Sequence, residues 1–275
     1  MTSVAIDWVT LGNREFVAWT RLVDVRLPFP LNTGAVGYGP APGRDEIERI
    51  LAARELSDSA VLDAARAAFS RPRLSVYAVR VDPDGVETRY LSIAGQGDDA
   101  VLVLLDATKV AVRRIAETEL AAGVVGALPP LRPMRFEPCE VSAVALDEID
   151  RIATTGVSPR TLRAHLAQAG FSEDLIAFRQ RGEPGPTASG TLGAVGYDDP
   201  RGTPDGDGWD DDAAVTLRHS TRSTNWREFT EGALLQVELG NRSGEQVLLL
   251  TPGTTDALFR GAVDAVASVF ETPGT

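Results

Sequence analysis

Apolar residues recur at helical spacing in two segments of the first half of the chain. The segment 59–69 (SAVLDAARAAF) places its apolar residues along one stripe of a helix, which is typical of an amphipathic helix packed on a core. The same spacing recurs from Val112 to Leu120. This pattern predicts a second helix directly after the apolar stretch at 100–105.

Three further segments of this half are typical of strands. LSVYAVRV (74–81) and VETRYLSI (86–93) are rich in β-branched and aromatic residues. Between them, DPDG (82–85) has proline and glycine at the second and fourth positions of a turn, which favours a type I turn and predicts a hairpin. AVLVLL (100–105) is apolar at every position, as in a central strand that is covered on both faces.

The second half repeats this order of elements. A helix is predicted to begin at Ser158, where a capping serine precedes Pro159 at the first helical position. A last amphipathic helix has its apolar residues, from Leu258 to Phe270, on one stripe. The predicted strands between these helices are GTLGAVGY (190–197), AVTLRHST (214–221), LLQVEL (234–239) and VLLL (247–250), with a hairpin turn near 241–244.

Both halves therefore contain a helix, strands, a fully apolar strand and a closing amphipathic helix. We infer an internally duplicated α+β fold with pseudo-two-fold symmetry, in which a central antiparallel β-sheet is flanked by two α-helical bundles. LVLLDATKVAV and VLLLTPGTTDAL are predicted to be equivalent segments that close the two halves. Residues 1–275 are expected to form one domain of two related halves, about 1–130 and 139–275, joined by a proline-rich segment at 128–138.

Charge and composition exclude several classes of partner. The net charge of −12 and the pI of about 4.7 disfavour both a nucleic-acid surface, which needs a basic face, and a standing association with anionic membranes. The most apolar stretch, at 100–105, is too short to span a bilayer. No signal-peptide pattern opens the sequence, and the single cysteine rules out an internal disulfide. We expect a cytoplasmic protein.

Few side chains are candidates for catalysis. Lys109 is the only lysine and no phosphate-binding loop precedes it, while His165 and His219 belong to no HExxH motif. GAVGY occurs twice, but neither copy opens a helix after a strand, so neither predicts a nucleotide site. We expect Lys109 to be solvated at a helix entry, His165 to be partly buried, His219 to lie on a sheet face and Cys139 to be a half-buried thiol.

One segment, 198–212 (DDPRGTPDGDGWDDD), has seven aspartates in fifteen residues. Carboxylates suit calcium, but alignment on an EF-hand glycine at Gly208 places Thr203 at the first ligand position and Ala214 at the bidentate glutamate position. The segment is therefore expected to be a solvated loop. The sequence predicts no metal site, no cofactor and no catalytic residue.

The order of motifs resembles the EspG family, cytosolic chaperones of type VII (ESX) secretion systems, over nearly the full length. The motifs that carry the resemblance are LPFPL (27–31), RELSDSAVLDAARAAFSRP, the hairpin from RLSVYAVRV to AVLVLL, the LPP joint, SGTLGAV and EQVLLLTPGTTDALFRGAVDAV. Many members have an arginine-rich strand after SGTLGAV, and here the aspartate-rich segment stands in its place. This reversal of charge predicts a different complementary partner surface.

The resemblance implies a chaperone that binds PE–PPE-type secretion substrates in the cytosol. It would cover the apolar tip of the PPE-like partner and keep the dimer soluble for export, as a monomer or a weak homodimer. Such capping needs an apolar groove with a polar rim and no chemistry. The alternatives are a small-molecule carrier with a pocket between sheet and helices, and an enzyme assembled from residues such as Cys139, His165 and His219.

The resemblance also places the docking groove at the central sheet and the C-terminal helical part. Large apolar residues are frequent there, in the segment 171–178 and in the hairpin around 226–237. The predicted partner-binding residues are Phe171, Leu175, Phe178, Trp226, Phe229, Leu235 and Val237. A charged residue in place of Phe178 or Trp226 is expected to abolish partner binding and to leave the fold intact.

Overall fold

One large antiparallel sheet organises the chain. The computed structural model describes residues 8–31, 43–53, 59–181, 185–197, 217–242 and 245–271. Its helices are α1 (Asn13–Leu22), α2 (Arg44–Ala53), α3 (Ala60–Ser70), α4 (Leu120–Ala127), α5 (Ala143–Thr154), α6 (Pro159–Gln168), α7 (Glu173–Gln180) and α8 (Thr255–Phe270). Its strands are β1 (Val9–Gly12), β2 (Pro72–Val81), β3 (Glu87–Gly95), β4 (Ala100–Leu105), β5 (Lys109–Ile115), β6 (Cys139–Ser142), β7 (Ala188–Tyr197), β8 (Leu217–His219), β9 (Thr224–Phe229), β10 (Gly232–Arg242) and β11 (Glu245–Pro252).

The sheet has the order β1-β5-β4-β3-β2-β7-β9-β10-β11-β6, and the short β8 pairs with β7 beside this path. All of these strand pairs are antiparallel. The predicted α+β class with a central antiparallel sheet is therefore confirmed. None of the described helices has both the length and the apolar character that crossing a membrane requires.

The strand order reads alike outward from the central β2–β7 pair. On one side lie β3, β4, β5 and β1, and on the other β9, β10, β11 and β6. In each half the outermost strand is the first in sequence. The predicted equivalence of LVLLDATKVAV and VLLLTPGTTDAL does not match this order, because the first begins in β4 and the second in β11, one place further out. The duplication of the sequence stays a prediction.

At several positions the structure contains the element that the local sequence pattern predicted. In the β2–β3 hairpin the Gly85 N–H donates to the carbonyl of Asp82 at 2.9 Å, and Gly85 has a φ of +80°, which glycine adopts at little cost. Ser158 caps α6 by accepting a hydrogen bond from the Thr161 N–H at 3.1 Å, with Pro159 at the first helical position. The predicted hairpin between 234–239 and 247–250 is formed by β10 and β11.

Two predictions of secondary structure were wrong. Residues 109–115 form β5 and not a helix, because Val110 and Val112 alternate toward the core while the strand pairs with both β4 and β1. Lys109 is exposed, as expected, but it is the first residue of β5 and does not lie at a helix entry. Strand β9 was not predicted, and only 217–219 of the predicted strand 214–221 form one in the described residues.

The two faces of the sheet are covered differently. We call the face packed by α4 and α8 the closed face; one cluster of buried residues, including Val76, Leu102, Leu192 and Leu235, runs across both halves there. Helix α8 approaches β9 closely, since a Cβ on Gly261 would overlap Thr224 Oγ1. Helix α8 was predicted from the sequence, but its place beside α4 on one face of the sheet was not.

We call the other face the open face, because two separate clusters cover it. Helices α1, α2 and α3 pack over β3, β4, β5 and β1, and helices α5, α6 and α7 form the group over β6 and β11. These are the two predicted bundles. Between them lie β2, β7, β9 and β10. The acidic segment 198–212 and the first GAVGY copy lie outside the described residues.

Candidate docking groove

A groove of about 560 Å³ lies on the open face between the α5–α7 group and the central strands. One wall is apolar and comes from the helices and the segment before α7. The floor comes from β2, β7, β9 and β10. Its lining includes Val79, Val81, Leu146, Phe171, Leu175, Phe178, Arg179, Ser189, Thr191, Asn225, Arg227, Phe229, Leu234, Gln236 and Leu250.

The helical wall is positioned by the end of α6. Gly170, with a φ of +93°, donates its N–H to Ala167, and the Phe171 N–H donates to the carbonyl of Leu166 at 3.1 Å. This Schellman arrangement turns the chain so that Phe171 enters the core. A Cβ at position 170 would lie 2.7 Å from the carbonyl oxygen of Glu140, so close packing as well as φ requires glycine there.

Helix α7 then presents Leu175 and Phe178 along the same wall. The rings of Phe178 and Phe229 meet edge to face, with centroids 5.0 Å apart and an interplanar angle of 74°. Phe178 is 6% exposed, whereas Phe229 is half-buried and has part of its ring open to the groove. The Arg181 guanidinium lies 5.9 Å from the Phe178 centroid. An aromatic edge with an arginine beside it thus forms one rim.

The floor mixes apolar and polar side chains, all half-buried. Val79 of β2 pairs with Thr191 of β7, which pairs with Asn225 of β9. Thr191 Oγ1 lies 2.7 Å from Asn225 Oδ1 and donates to it. Gln236 of β10 stands next in the same row, opposite Asn225. Because these side chains share one face across four strands, the floor offers hydrogen-bonding groups beside apolar surface.

The segment 25–31 packs on the open face of the central strands. Phe29 packs edge to face on Tyr77, with centroids 5.3 Å apart, and on His219 at 5.2 Å. The hydroxyl of Tyr197 donates to the carbonyl of Phe29 at 3.4 Å. Burial raises the pKa of both Tyr77 and Tyr197, so these hydroxyls stay neutral at physiological pH. The LPFPL motif therefore covers part of the open face of β2 and β7.

Five of the seven predicted partner-binding residues border this groove. Phe171, Leu175, Phe178, Phe229 and Trp226 line it. The first three are 7%, 2% and 6% exposed, so they form its wall and support it rather than project into solvent. Whether they bind a partner stays a prediction.

Leu235 and Val237 lie on the closed face, away from the groove, and the indole of Trp226 packs with them although Trp226 also borders the groove. All three belong to or pack on the core of the closed face. The cause is the alternation of a strand: Leu235 pairs with Trp226, whereas Phe229, three positions on from Trp226, points to the opposite side. A pattern of alternation shows which residues share a face, but not which layer covers that face.

The burial of Trp226 changes the expected effect of a charged residue at position 226. Trp226 is 2% exposed, its indole lies against Gly190, and its Nε1 donates to Glu228 Oε1 at 3.3 Å. Glu228 in turn accepts from Arg80 Nε at 3.0 Å. A charge at position 226 would be buried in this core, so the expectation that it leaves the fold intact is withdrawn.

The residues considered for an enzyme are spread over the structure. Cys139 is half-buried on β6, as expected, and burial raises the pKa of its thiol. His219 is on β8 beside β7, and β9, β10 and β11 separate β7 from β6. His165, expected to be partly buried, is exposed on α6. Within the described ranges no group of three His, Cys, Asp or Glu residues is placed to hold a metal ion.

The floor residues Val79, Val81, Thr191, Asn225 and Gln236 were missed by the sequence interpretation. The sequence of β2 does indicate Val79 and Val81, because Leu74, Val76 and Ala78 on one face alternate with Tyr77, Val79 and Val81 on the other. Apolar residues at both parities of a strand indicate that something packs on each face. The polar floor residues carry no such signal.

Comparisons with known proteins give one family match and one similar fold. A sequence model of the EspG family matches residues 15–264. No curated protein matches the sequence. Among solved structures, the chain is similar to the Mycobacterium tuberculosis type VII secretion system chaperone EspG5, determined in complex with a PE25–PPE41 dimer, with a TM-score of 0.71, 14% identity and 98% of each chain covered. These findings give the small-molecule carrier no support.

Proposed function

The chain belongs to the EspG family, and we propose that it is a cytosolic chaperone of a type VII secretion system that binds a PE–PPE-type substrate dimer. The observation that carries this proposal is the groove on the open face, an apolar wall over a partly polar floor. The EspG5 chaperone, which shares the fold, was determined with a PE25–PPE41 dimer.

The ligand of the groove would be the apolar tip of the PPE-like partner. A volume of about 560 Å³ accommodates a few large side chains and not a folded domain. Burial of each such side chain contributes roughly 1.5–3 kcal/mol, so two of them would supply part of the binding free energy and position the tip, and the rest would come from contacts around the groove. Half-buried Phe229 and Leu234 supply apolar contacts, while Gln236 and Asn225 are placed to bind polar groups of the partner's backbone.

Capping of this kind proceeds without catalysis. Holding an aggregation-prone tip out of water requires shape and apolar area, and it requires neither a nucleophile nor a metal. The separation of Cys139 from His219 across the sheet supports a binding role for the chain. We therefore propose a non-enzymatic adaptor that acts in the cytosol before export.

Co-expression tests the proposal directly. The chain should be produced together with each PE–PPE-like pair of the same genome, with a tag on the PE-like protein only. We expect one pair to retain the chain through size-exclusion chromatography and to lose solubility when the chain is omitted. If every pair is equally soluble without the chain and none retains it, the proposal is wrong.

A further inference from the structure

Arg227 of β9 lines the groove and, unlike the half-buried residues of the floor, is exposed. It lies on the open face, with Asn225 and Phe229 two positions away on the same strand. Across the neighbouring strands it pairs with Ser189 and Leu234, and neither of these carries a charge. The Arg227 guanidinium forms no hydrogen bond and no ion pair with any residue that the structure describes. It is therefore a cation that the described part of the chain does not neutralise.

The charge of the groove is opposite to that of the whole chain. Its described lining contains two arginines, Arg179 and Arg227, and no aspartate or glutamate. In the whole chain acidic residues outnumber basic ones by 39 to 27. Glu228, next to Arg227 along β9, points to the closed face and pairs there with Arg80 at 3.0 Å. The groove is therefore a locally cationic surface on an anionic protein.

Asn225 adds a second hydrogen-bond donor to this surface. The hydroxyl of Thr191 donates to Asn225 Oδ1 at 2.7 Å, which fixes the orientation of the amide. Its Nδ2 donates to no residue in the described ranges, so it is available to a ligand. Asn225 and Arg227 are two residues apart on one face of a strand, so their Cα atoms lie about 7 Å apart. Together they form a pair of donors beside the apolar wall.

A partner that fills the groove takes water away from Arg227. Burial of an ion without a counter-ion is strongly unfavourable, so the partner has to supply an acceptor. A carboxylate fits best, because it balances the charge and accepts two parallel N–H bonds from one guanidinium. We propose that the tip bound in the groove carries an aspartate or glutamate beside its apolar side chains, and that Arg227 binds this carboxylate.

In this arrangement Asn225 donates to a main-chain carbonyl next to the acidic residue. The inference rests on the proposed function, since it names the chemistry of the tip that the groove accepts. Arg227 is then a specificity-determining residue. A tip with a neutral or basic residue at this point leaves the guanidinium buried and unpaired, and the chain rejects it.

The dissociation constant of the PE–PPE-like pair that the unaltered chain retains is the quantity to measure, by calorimetry at about 50 mM salt. Arg227→Gln should weaken binding by about tenfold and Arg227→Glu by about 100-fold. Asn225→Asp keeps the acceptor for Thr191 but replaces the donor with a negative charge, so it should weaken binding by about tenfold. Arg66→Glu makes the same change of charge on exposed α3 and should stay within about threefold. All four variants should melt near the unaltered chain.

A charge exchange identifies the contact. In the presence of Arg227→Glu, each acidic residue at the tip of the PPE-like protein is replaced in turn by arginine. We expect one exchange to restore most of the lost affinity. No restoration by any exchange, a bound tip without an acidic residue, or unchanged binding by Arg227→Gln overturns the inference, while retention of the pair still supports the proposed function. If the unaltered chain retains no pair, the proposed function fails and the inference fails with it.

Discussion

The two halves of the open face have the same strand order but different helical cover. In the first half, α3 contacts β3, β4 and β5, and together with α1 it buries the outer strands almost to the centre of the sheet. In the second half, α5 contacts β6 and β11, and α7 reaches β9 through the contact of Phe178 with Phe229. Strands β9 and β10 therefore keep part of their open face free. The candidate site arises where the symmetry of the fold is broken.

The aromatic clusters of the two halves express this difference. Phe16, Trp19 and Phe69 meet in the first half with ring centroids 5.8 to 6.2 Å apart, and each is at most 3% exposed. In the second half, Phe178 meets Phe229, and Phe229 stays half-buried. A closed triad stabilises the fold, whereas an incomplete pair leaves an aromatic edge that a partner can complete.

Alanine substitutions in the two aromatic clusters should lower the free energy of unfolding by different amounts. Phe16→Ala removes a fully buried ring and should lower the free energy of unfolding by about 3–5 kcal/mol, because the cavity cannot collapse around two other rings. Phe229→Ala removes a half-buried ring and should cost no more than about 2 kcal/mol. Urea unfolding measures both. Equal losses would mean that the groove is part of an ordinary sealed core.

Glycine substitutions should show how closely the closed face is packed. Gly261→Ala in α8 would place a Cβ on Thr224, so we expect a loss of about 1–3 kcal/mol from overpacking. Gly126→Ala in α4 meets nothing within 4 Å and should gain up to about 1 kcal/mol from helix propensity. Thermal unfolding of both variants is the measurement. A stable Gly261→Ala protein would contradict the close approach of α8 to β9.

The smallest effect is expected at the outer strand of the second half. Burial raises the pKa of the Cys139 thiol, which leaves less thiolate at a given pH. Alkylation by iodoacetamide at about pH 8 should therefore be slower in the native chain than in the urea-unfolded chain, where the thiol titrates near its usual value. The rates should converge as the pH rises. Identical rates at about pH 8 would show that β6 does not shield the thiol.

Local patterns predicted the parts of the fold that local chemistry determines. The DPDG turn, the Ser158-Pro159 cap and the apolar run at 100–105 each act through neighbouring residues, and each formed the expected element. The segment 109–115 was ambiguous, because apolar residues at 110, 112 and 115 fit both a strand and the start of a helix. Pairing with β1, about a hundred residues away along the chain, decided for the strand.

The sequence predicted only those residues of the candidate site that stand out as large and apolar. Phe171, Leu175, Phe178 and Phe229 were recognised as a surplus of large apolar residues, and they do meet. The polar floor depends on which helices leave β9 and β10 uncovered, and this is a property of tertiary packing. For the same reason the alternation in LLQVEL identified Leu235 and Val237 as one set but could not place that set on the closed face.

The central claim is that the open face of the second half binds the substrate dimer. The most direct test compares two variants of the chain on neighbouring strands, Phe229→Asp on the open face and Val237→Asp on the closed face. The affinity of each variant for a co-purifying PE–PPE-like pair is measured. Both native side chains are half-buried, and circular dichroism and melting check that both variants fold. We expect Phe229→Asp to weaken binding by about 100-fold and Val237→Asp to change it by less than about threefold. Loss of binding in a folded Val237→Asp variant, with binding retained in Phe229→Asp, would contradict the account.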